Sequence, residues 1–534
     1  MGNFWKFLRV IALVAAVAIA PLGILWGFVT EFYLRYWLAL GLPFVGIAAL
    51  LVWFLIFGKP EFALRLKVFL GVVLVAVLGA VAFPALFRYE GSTSGASLPR
   101  FVWRWSKPNR SELPELPREE TEAAPRPVDP GKVEGVIDSP QLYGPDRNGV
   151  WKSDAVIADL DWNANPPEEL WRRPIGIGWS GFSVVGRRAL TMEQRGDEEL
   201  VTCYDLLTGE ILWSHHDEAR YYNAAGPGKE MAGDGPRAVP TVHGDRVFTY
   251  GATGVLNCLS LETGEAMWQR EVFEEIGKPL PEWGKSTSPL FVEPEGLVVV
   301  SGPERSAPTL LAFDAETGEP AWEYAGNGAS YSSPRLLELG GQRQLVSVNS
   351  GDVTGHDPAT GEERWRFEWP GKFPKVGQPV RVGENRVLVT ASYGAGSFLL
   401  EVKPAEDGKG SVAEVWKSTR LKTKFSTAVV RDGFAYGLDE GRLVCVSLED
   451  GSRVWKEGKY GFGQNLLVGD KLLVQAEDGY LAVVEASPEA FTEVARQEAL
   501  SSMTWNPPTL AGRYLLVRND REAICFRLGE KSSN

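Results

Sequence analysis

The hydrophobic rhythm of this chain changes twice. Three long uncharged apolar runs open it, at residues 10–29, 36–57 and 68–87, each at least 20 residues long. A helix rises ~1.5 Å per residue, so each run can cross a ~30 Å hydrocarbon core, and the pattern predicts three transmembrane helices. Trp26, Tyr36, Trp37 and Trp53 lie towards the ends of the runs, where amphipathic rings suit the membrane interface. Residues 91–139 then turn rich in Pro, Glu, Arg and Ser, a composition that buries no core and predicts an extended tether. From residue 140 onward the pattern is one of short β-rich runs, such as residues 200–204 and 309–313, separated by Gly-containing turns.

Within that third region one phrase recurs: Asp or Ser, two variable residues, Thr or Asp, Gly, then Trp four residues on. It runs from Asp205 through Gly209 to Trp213, from Ser260 through Gly264 to Trp268, and from Asp314 through Gly318 to Trp322. It returns from Asp357 through Gly361 to Trp365 and from Ser447 through Gly451 to Trp455. A fixed phrase every ~40–55 residues marks a repeat architecture. Asp or Ser opens a hairpin turn by accepting backbone N–H bonds, and Gly takes the positive φ that the turn requires. The Trp falls on the next strand, where it packs one unit against its neighbour.

Worn copies complete the count. Glu401 to Trp416 has a longer turn, residues 485–494 lack the Trp, and residues 508–528 stop before a Trp strand. Trp171, upstream of the first full unit, supplies the missing strand. Seven units and one split between the two ends predict an all-β, eight-bladed β-propeller at residues 140–528. Its blades are four-stranded and antiparallel, and the ring closes through its N- and C-terminal strands. Trp171, Trp213, Trp268, Trp322, Trp365, Trp416 and Trp455 are the expected blade-docking side chains. Residues 1–90 form the expected anchor and 529–534 a tail. Cys203, Cys258, Cys445 and Cys525 occupy one repeat position that Ala312 and Gly355 share, which marks a tight packing slot rather than a disulfide, metal ligand or nucleophile.

Charge sets the orientation of the anchor. Lys6 and Arg9 precede the first run, Lys59, Arg65 and Lys67 lie between the second and third, and Arg35 alone lies between the first and second. This bias puts the N-terminus in the cytoplasm and the propeller outside, although Arg88, Arg100, Arg104 and Lys107 after the third run oppose it. A signal peptide cut after Ala18-Ile19-Ala20 is disfavoured by Pro21 and by the two later runs. The net charge of −13 and pI near 5.1 argue against nucleic acid as a partner.

Candidate chemistry is sparse. His215 and His216 face opposite sides of a strand, and His243 and His356 sit in or beside turns, so no zinc site is expected. No CxxC, covalent-haem motif, P-loop or Gly-x-Ser-x-Gly elbow is present, and no catalytic or metal-ligating set is assigned. The loops leading into each innermost strand carry Trp179, Arg237, Lys285, Tyr331, Lys375, Lys424, Gln464 and Trp505. Four cations and several aromatics around one axis suit a small planar anion, through charge-assisted hydrogen bonds and cation–π contact. The competing reading pairs those cations with neighbours such as Asp234 and Glu282 or leaves them in solvent.

The repeat phrase, the motif from Pro140 through Gly149, the run Gly235 to Pro240 and the run Gly251 to Cys258 together resemble the bacterial PQQ-like β-propeller repeat proteins over residues 140–528. The resemblance implies two alternatives. Quinoprotein dehydrogenases hold pyrroloquinoline quinone (PQQ) with calcium on the axis, and one sugar-oxidising branch carries transmembrane spans. The propeller lipoprotein of the outer-membrane β-barrel assembly machine is instead a scaffold. This chain has no adjacent Cys pair, only modest inter-blade loops and no Glu/Asn/Asp set matching a calcium site. The expectation is a bacterial inner-membrane protein whose propeller faces the periplasm and binds a protein or small anion without catalysis. The alternative is a PQQ- and calcium-dependent dehydrogenase of an alcohol or sugar. A third reading makes the three spans a membrane module with the propeller as its sensor, but the spans hold no ionisable residue for transport.

Overall fold

Short strands of three to eight residues, closed by turns with Gly at positive φ, build the eight small sheets of residues 168–527. The computed structural model describes residues 10–15, 17–18, 32–92, 99–105, 113, 116, 133–152, 158–222, 233–371, 373–403 and 409–529. They fall into two compact units, divided after Pro108.

The first unit holds α1 (Phe32–Phe57), α2 (Phe62–Leu86) and an antiparallel hairpin of β1 (Phe87–Ser92) and β2 (Pro99–Trp103). Arg65 of α2 donates to the carbonyls of Leu55 (2.7 Å) and Ile56 (2.8 Å), so the cation satisfies the last carbonyls of α1. Among the described residues α2 is the one helix long and apolar enough to cross a membrane by length and composition. α1 is a continuous helix of 26 residues, of which Gly41–Phe57 is the apolar part with described side chains. Most of residues 10–29, with Trp26, and the side chains of Tyr36 and Trp37 lie outside the described residues. Of the three expected spans, one is therefore found among the described residues, as α2, which starts at Phe62 rather than Val68; the second falls within α1.

The second unit is the propeller, with blades at residues 183–217, 241–271, 290–324, 335–368, 380–418, 429–457, 464–497 and 509–527. Blade 8 contributes three strands, and β4 (Glu168–Pro174) completes it by pairing with Glu522–Arg527. In that pair Cys525 faces Trp171, as Cys203 faces Trp213, Cys258 faces Trp268, Ala312 faces Trp322, Gly355 faces Trp365 and Cys445 faces Trp455. The small slot and the large ring are thus cross-strand partners. Buried Arg518 holds the closing seam, donating to Thr191 Oγ1 (2.8 Å) and to the carbonyls of Met192 (2.9 Å) and Gly176 (2.9 Å).

Six of the seven expected docking Trp rings then lie over the next blade's turn. Trp171 N–H donates to Leu206 O (2.8 Å), Trp213 to Leu261 O (3.1 Å), Trp268 to Ala315 O (3.1 Å), Trp416 to Leu448 O (3.0 Å) and Trp455 to Ser487 O (3.0 Å). The turn Gly is required beneath it: a Cβ on Gly264 (φ +76°) would sit 2.3 Å from the Trp213 ring, and one on Gly361 would sit 2.4 Å from Trp322. Trp365 departs from the expected docking. Its N–H turns to Gln344 of its own blade (2.6 Å), because Gly355 opposite leaves room and blade 5 has a longer turn between Lys403 and Ser411. Apolar clusters fill the gaps between blades, as where Met192, Val201 and Trp213 of blade 1 meet Val242, Val247 and Leu259 of blade 2.

The ends of the expected tether are ordered parts of the two units. Residues 99–103 form β2, and Val133 and Val136 pack against the core of blades 8 and 1. Gly529, expected in the tail, accepts from Asp159 N (2.7 Å).

Candidate functional site

The segment that leads into blade 1 crosses the axis of the ring. Ser139 exchanges both backbone bonds with Val184 of blade 1 (2.8 Å each), and Pro140 O accepts from Val242 N of blade 2 (2.7 Å). Arg147 donates to Ser288 O (2.7 Å) and Pro289 O (2.9 Å), at the start of blade 3. Arg335 of blade 4 reaches Asp146 O (3.3 Å). Then β3 (Val150–Trp151) pairs in parallel with Leu467 and Val468 of blade 7, where Leu467 N donates to Gly149 O (2.8 Å). Blades 3 and 7 stand opposite each other in an eight-membered ring. A chain that touches both within four residues lies across the axis, and residues 139–151 are a plug.

The plug explains the motif from Pro140 through Gly149. Tyr143, Gly144, Arg147 and Gly149 all have positive φ, and a Cβ on Gly144 would meet the Trp151 ring at 2.7 Å. Arg147 and Arg335 are buried on main-chain carbonyls, and burial pulls their guanidinium pKa down to about 9 and about 10.

The loops that lead into the innermost strands are joined by a complete circuit of hydrogen bonds. Trp179 N donates to Pro236 O (2.7 Å), Val239 N to Ser288 Oγ (2.9 Å), Ser288 N to Ser333 Oγ (3.0 Å) and Ser332 Oγ to Gly377 O (2.9 Å). Gln378 N donates to Thr427 Oγ1 (3.0 Å), and Gln464 Nε2 to both Phe425 O (2.9 Å) and Trp505 O (2.7 Å). Asn506 Nδ2 closes the circle on Gly178 O (3.1 Å) and Ser180 O (2.8 Å). Gln464 also accepts from Tyr143 of the plug (3.0 Å), which ties the circuit to the crossing segment.

The eight candidate side chains are all buried or half-buried, but they do not form one cationic ring. Trp179, Lys424, Gln464 and Trp505 gather in an aromatic cluster. Trp179 and Phe425 each lie 4.8 Å from Trp505, and the Lys424 ammonium sits 4.6, 4.8 and 5.3 Å from the Tyr393, Phe462 and Phe425 rings. Arg237 and Tyr331 belong to a second group with Tyr221 and Trp283. Arg237 donates to Gly235 O and Gly233 O (2.7 Å each) and stacks over Tyr221, and Tyr331 donates to Glu304 (2.8 Å) and lies 5.5 Å from Trp283. Lys285 donates to Gly302 O (2.7 Å); Lys375 donates to Ser350 O and faces Trp369 at 5.1 Å. Burial pushes the Lys285 ammonium down to about 7 and those of Lys375 and Lys424 to about 8. The four cations of the expected anion-binding ring thus lie in separate groups, on blade-loop carbonyls and ring faces.

Three carboxylates escaped the sequence reading. Glu477 accepts from Trp505 N–H (2.7 Å) and Phe462 N (3.2 Å), Glu304 accepts from Tyr331, and Glu199 accepts from Ala252 N (3.0 Å). Burial raises the Glu199 pKa to about 8. Each lies in or beside a strand, where one Glu among alternating residues carries no signal of being buried.

The site does not fit PQQ with calcium. Among the described residues no three His, Cys, Asp or Glu side chains are placed to hold a metal ion. The nearby carboxylates are engaged by backbone and aromatic donors, and the cations that would meet the quinone's carboxylates are engaged by carbonyls and rings. The four cysteines are free, buried and far apart along the chain. His356 is also structural: both ring nitrogens are bonded, to Gly361 O and Thr354, and burial pulls it down to about 4.

Residues 197–457 match the family model described as "Outer membrane protein assembly factor BamB". The assembly factor BamB of Burkholderia pseudomallei is 23% identical over 321 residues, 52% of this chain and 80% of that protein. The one from Shewanella oneidensis is 24% identical over 304 residues, 54% of this chain and 67% of that protein. Among solved structures, a europium-containing methanol dehydrogenase aligns with TM-score 0.57 and 11% identity, over 77% of this chain and all of its own. A quinohemoprotein alcohol dehydrogenase from Comamonas testosteroni aligns at 0.55 and 13%, over 78% and 84%. At those identities the two enzymes share the fold alone. With its repeated turn-and-Trp unit, its eight blades and these likenesses, the chain is an eight-bladed β-propeller similar to the PQQ-like repeat proteins.

Proposed function

We propose that this chain is a non-catalytic, protein-binding propeller held at the bacterial inner membrane, with the propeller on the periplasmic side. The observation that carries this reading is the filled axis. Where a quinoprotein enzyme of this architecture keeps its cofactor, this ring has a crossing plug, a closed hydrogen-bond circuit and cations already engaged. The reading is also supported by sequence similarity to BamB, named for outer-membrane protein assembly, along most of that protein's length. The apolar helix α2 supports the anchor, and its orientation rests on the charge pattern read across all three apolar runs. The acidic surface disfavours nucleic acid, and the partner is a periplasmic protein rather than a small anion, PQQ or calcium.

The test has two arms. Detergent-purified full-length chain titrated with PQQ and calcium shows no quinone absorption and reduces no dye with alcohols or sugars. In its own bacterium, a chain truncated after the anchor lowers the amount of folded outer-membrane β-barrel protein. Quinone-dependent turnover overturns the proposal in favour of a dehydrogenase, and unchanged barrel levels overturn the assembly role.

A further inference from the structure

The chain leaves α2 by folding back, not by running straight into a tether. Phe83, in the last turn of α2, stacks on Phe87 (5.0 Å) and meets Phe101 edge-on (4.9 Å). Phe87 meets Trp103 edge-on (5.3 Å), and Trp105 lies 5.2 Å from Trp103. Two arginines complete the joint. Arg104 N donates to Leu86 O (2.8 Å) and its guanidinium to Pro84 O (2.8 Å), while Arg88 donates to Arg104 O (3.2 Å). The terminal carbonyls of a helix carry partial negative charge and lack intrahelical partners, so a guanidinium suits them. Helix end and hairpin are one rigid corner.

The corner keeps large apolar rings outside. Phe101 is 48% exposed, Trp103 47% and Trp105 67%. In water such a cluster costs free energy. At the headgroup level, rings with an apolar body and an N–H tip are at home, and arginines reach phosphate oxygens. The 25 residues of α2 rise ~37 Å, more than the ~30 Å hydrocarbon core, so a helix end carrying Phe83 reaches that level.

We propose that the β1–β2 hairpin is an interfacial foot that seats in the headgroup layer of an anionic phospholipid bilayer, with Trp103 and Trp105 at the acyl boundary and Arg88 and Arg104 towards lipid phosphates. This rests on the reading of α2 as a membrane span. It also accounts for two of the arginines that oppose the charge bias: they are engaged at the helix end and the interface, on the periplasmic side.

The experiment uses the full-length chain in phosphatidylcholine vesicles, with and without phosphatidylglycerol. A single Cys is introduced by Trp105→Cys, by Val102→Cys or, at mid-helix, by Leu74→Cys, and carries an environment-sensitive dye. The four native cysteines are buried, so the folded chain labels at the new site. Labels at 102 and 105 are quenched several-fold more by lipids with a quencher at the headgroup boundary than by lipids with one at the chain end, and more with phosphatidylglycerol. The label at 74 shows the reverse depth. Arg104→Gln removes most of the phosphatidylglycerol effect at 102. A label at 74 that is quenched while those at 102 and 105 report water overturns the foot and leaves the span standing. A label at 74 that no lipid quenches overturns the span, and the foot with it.

Discussion

The outer and inner layers of the propeller solve the same joining problem in opposite ways. Outside, one device is repeated: a Trp ring over a neighbour's turn Gly, with its N–H on a turn carbonyl, as for Trp171, Trp213, Trp268 and Trp416. Inside, the links are of several kinds: backbone N–H on a Ser or Thr hydroxyl at Val239, Ser288 and Gln378, backbone on backbone at Trp179, and side-chain amides at Gln464 and Asn506. The outer layer sees the same environment at every Trp joint but that of Trp365, so a single solution serves six of seven. The inner layer faces a plug that touches blades 1, 2, 3, 4 and 7 differently, so one device does not serve all its joints.

Breaking one outer joint has the largest expected effect. Trp213→Ala removes a buried ring and its hydrogen bond and destabilises by ~3–5 kcal/mol in denaturant unfolding. A cost under ~1 kcal/mol, the scale of an ordinary surface change, contradicts the docking role. Gly264→Ala puts a methyl 2.3 Å from the same ring at a positive φ and costs ~1–3 kcal/mol, whereas Gly244→Ala, at similar φ but in open space, costs less. Equal losses at the two glycines mean that backbone strain alone, and not the ring, demands Gly in the turn.

The repeated layer was legible in the sequence because the same physical demand recurs. The turn phrase, the Cys/Ala/Gly slot and the stray Trp171 together specify eight blades and their closure. Trp365 breaks the pattern for a reason visible only in space: Gly355 opposite and a longer turn next door let its ring fall inward. The inner layer was far less legible. The positions of Lys285, Lys375 and Lys424 could be read, but the carbonyls and rings that engage them come from other loops. Glu199 and Arg518 look like ordinary strand residues, and the segment from Pro140 to Gly149 gives no hint that it crosses the ring. In the first unit, the composition of residues 91–139 suggested a tether, whereas Phe101, Trp103 and Trp105 near its start build a corner with the end of α2.

Inner-layer changes are smaller and more local. Arg147→Ala leaves the Ser288 and Pro289 carbonyls without their donor and costs ~1–3 kcal/mol, with faster proteolysis confined to residues 139–151. Proteolysis throughout the propeller instead means that the plug is needed for the ring itself. The inner layer also gives a pH dependence with two opposed limbs. Glu199 keeps its proton in the folded state up to about pH 8 but loses it near 4.5 when unfolded, so its stabilisation is full below 4.5 and is lost as pH rises through about 8. Lys285 holds its proton only below about pH 7 when folded, against 10.5 when unfolded, so its contribution is full above 10.5 and is lost as pH falls through about 7. In thermal melts Glu199→Gln flattens the falling limb and Lys285→Met the rising one; a variant that leaves its limb intact shows that another group carries it.

The central claim is that the axis is filled, and amide hydrogen exchange at two positions tests it most directly. Val242 and Leu467 lie on innermost strands of blades 2 and 7, and their N–H groups donate to Pro140 O and Gly149 O of the plug. Both amides are predicted to exchange only on global unfolding. Exchange at the rate of open loops, with the neighbouring sheet amides still protected, would show the axis open and contradict the account.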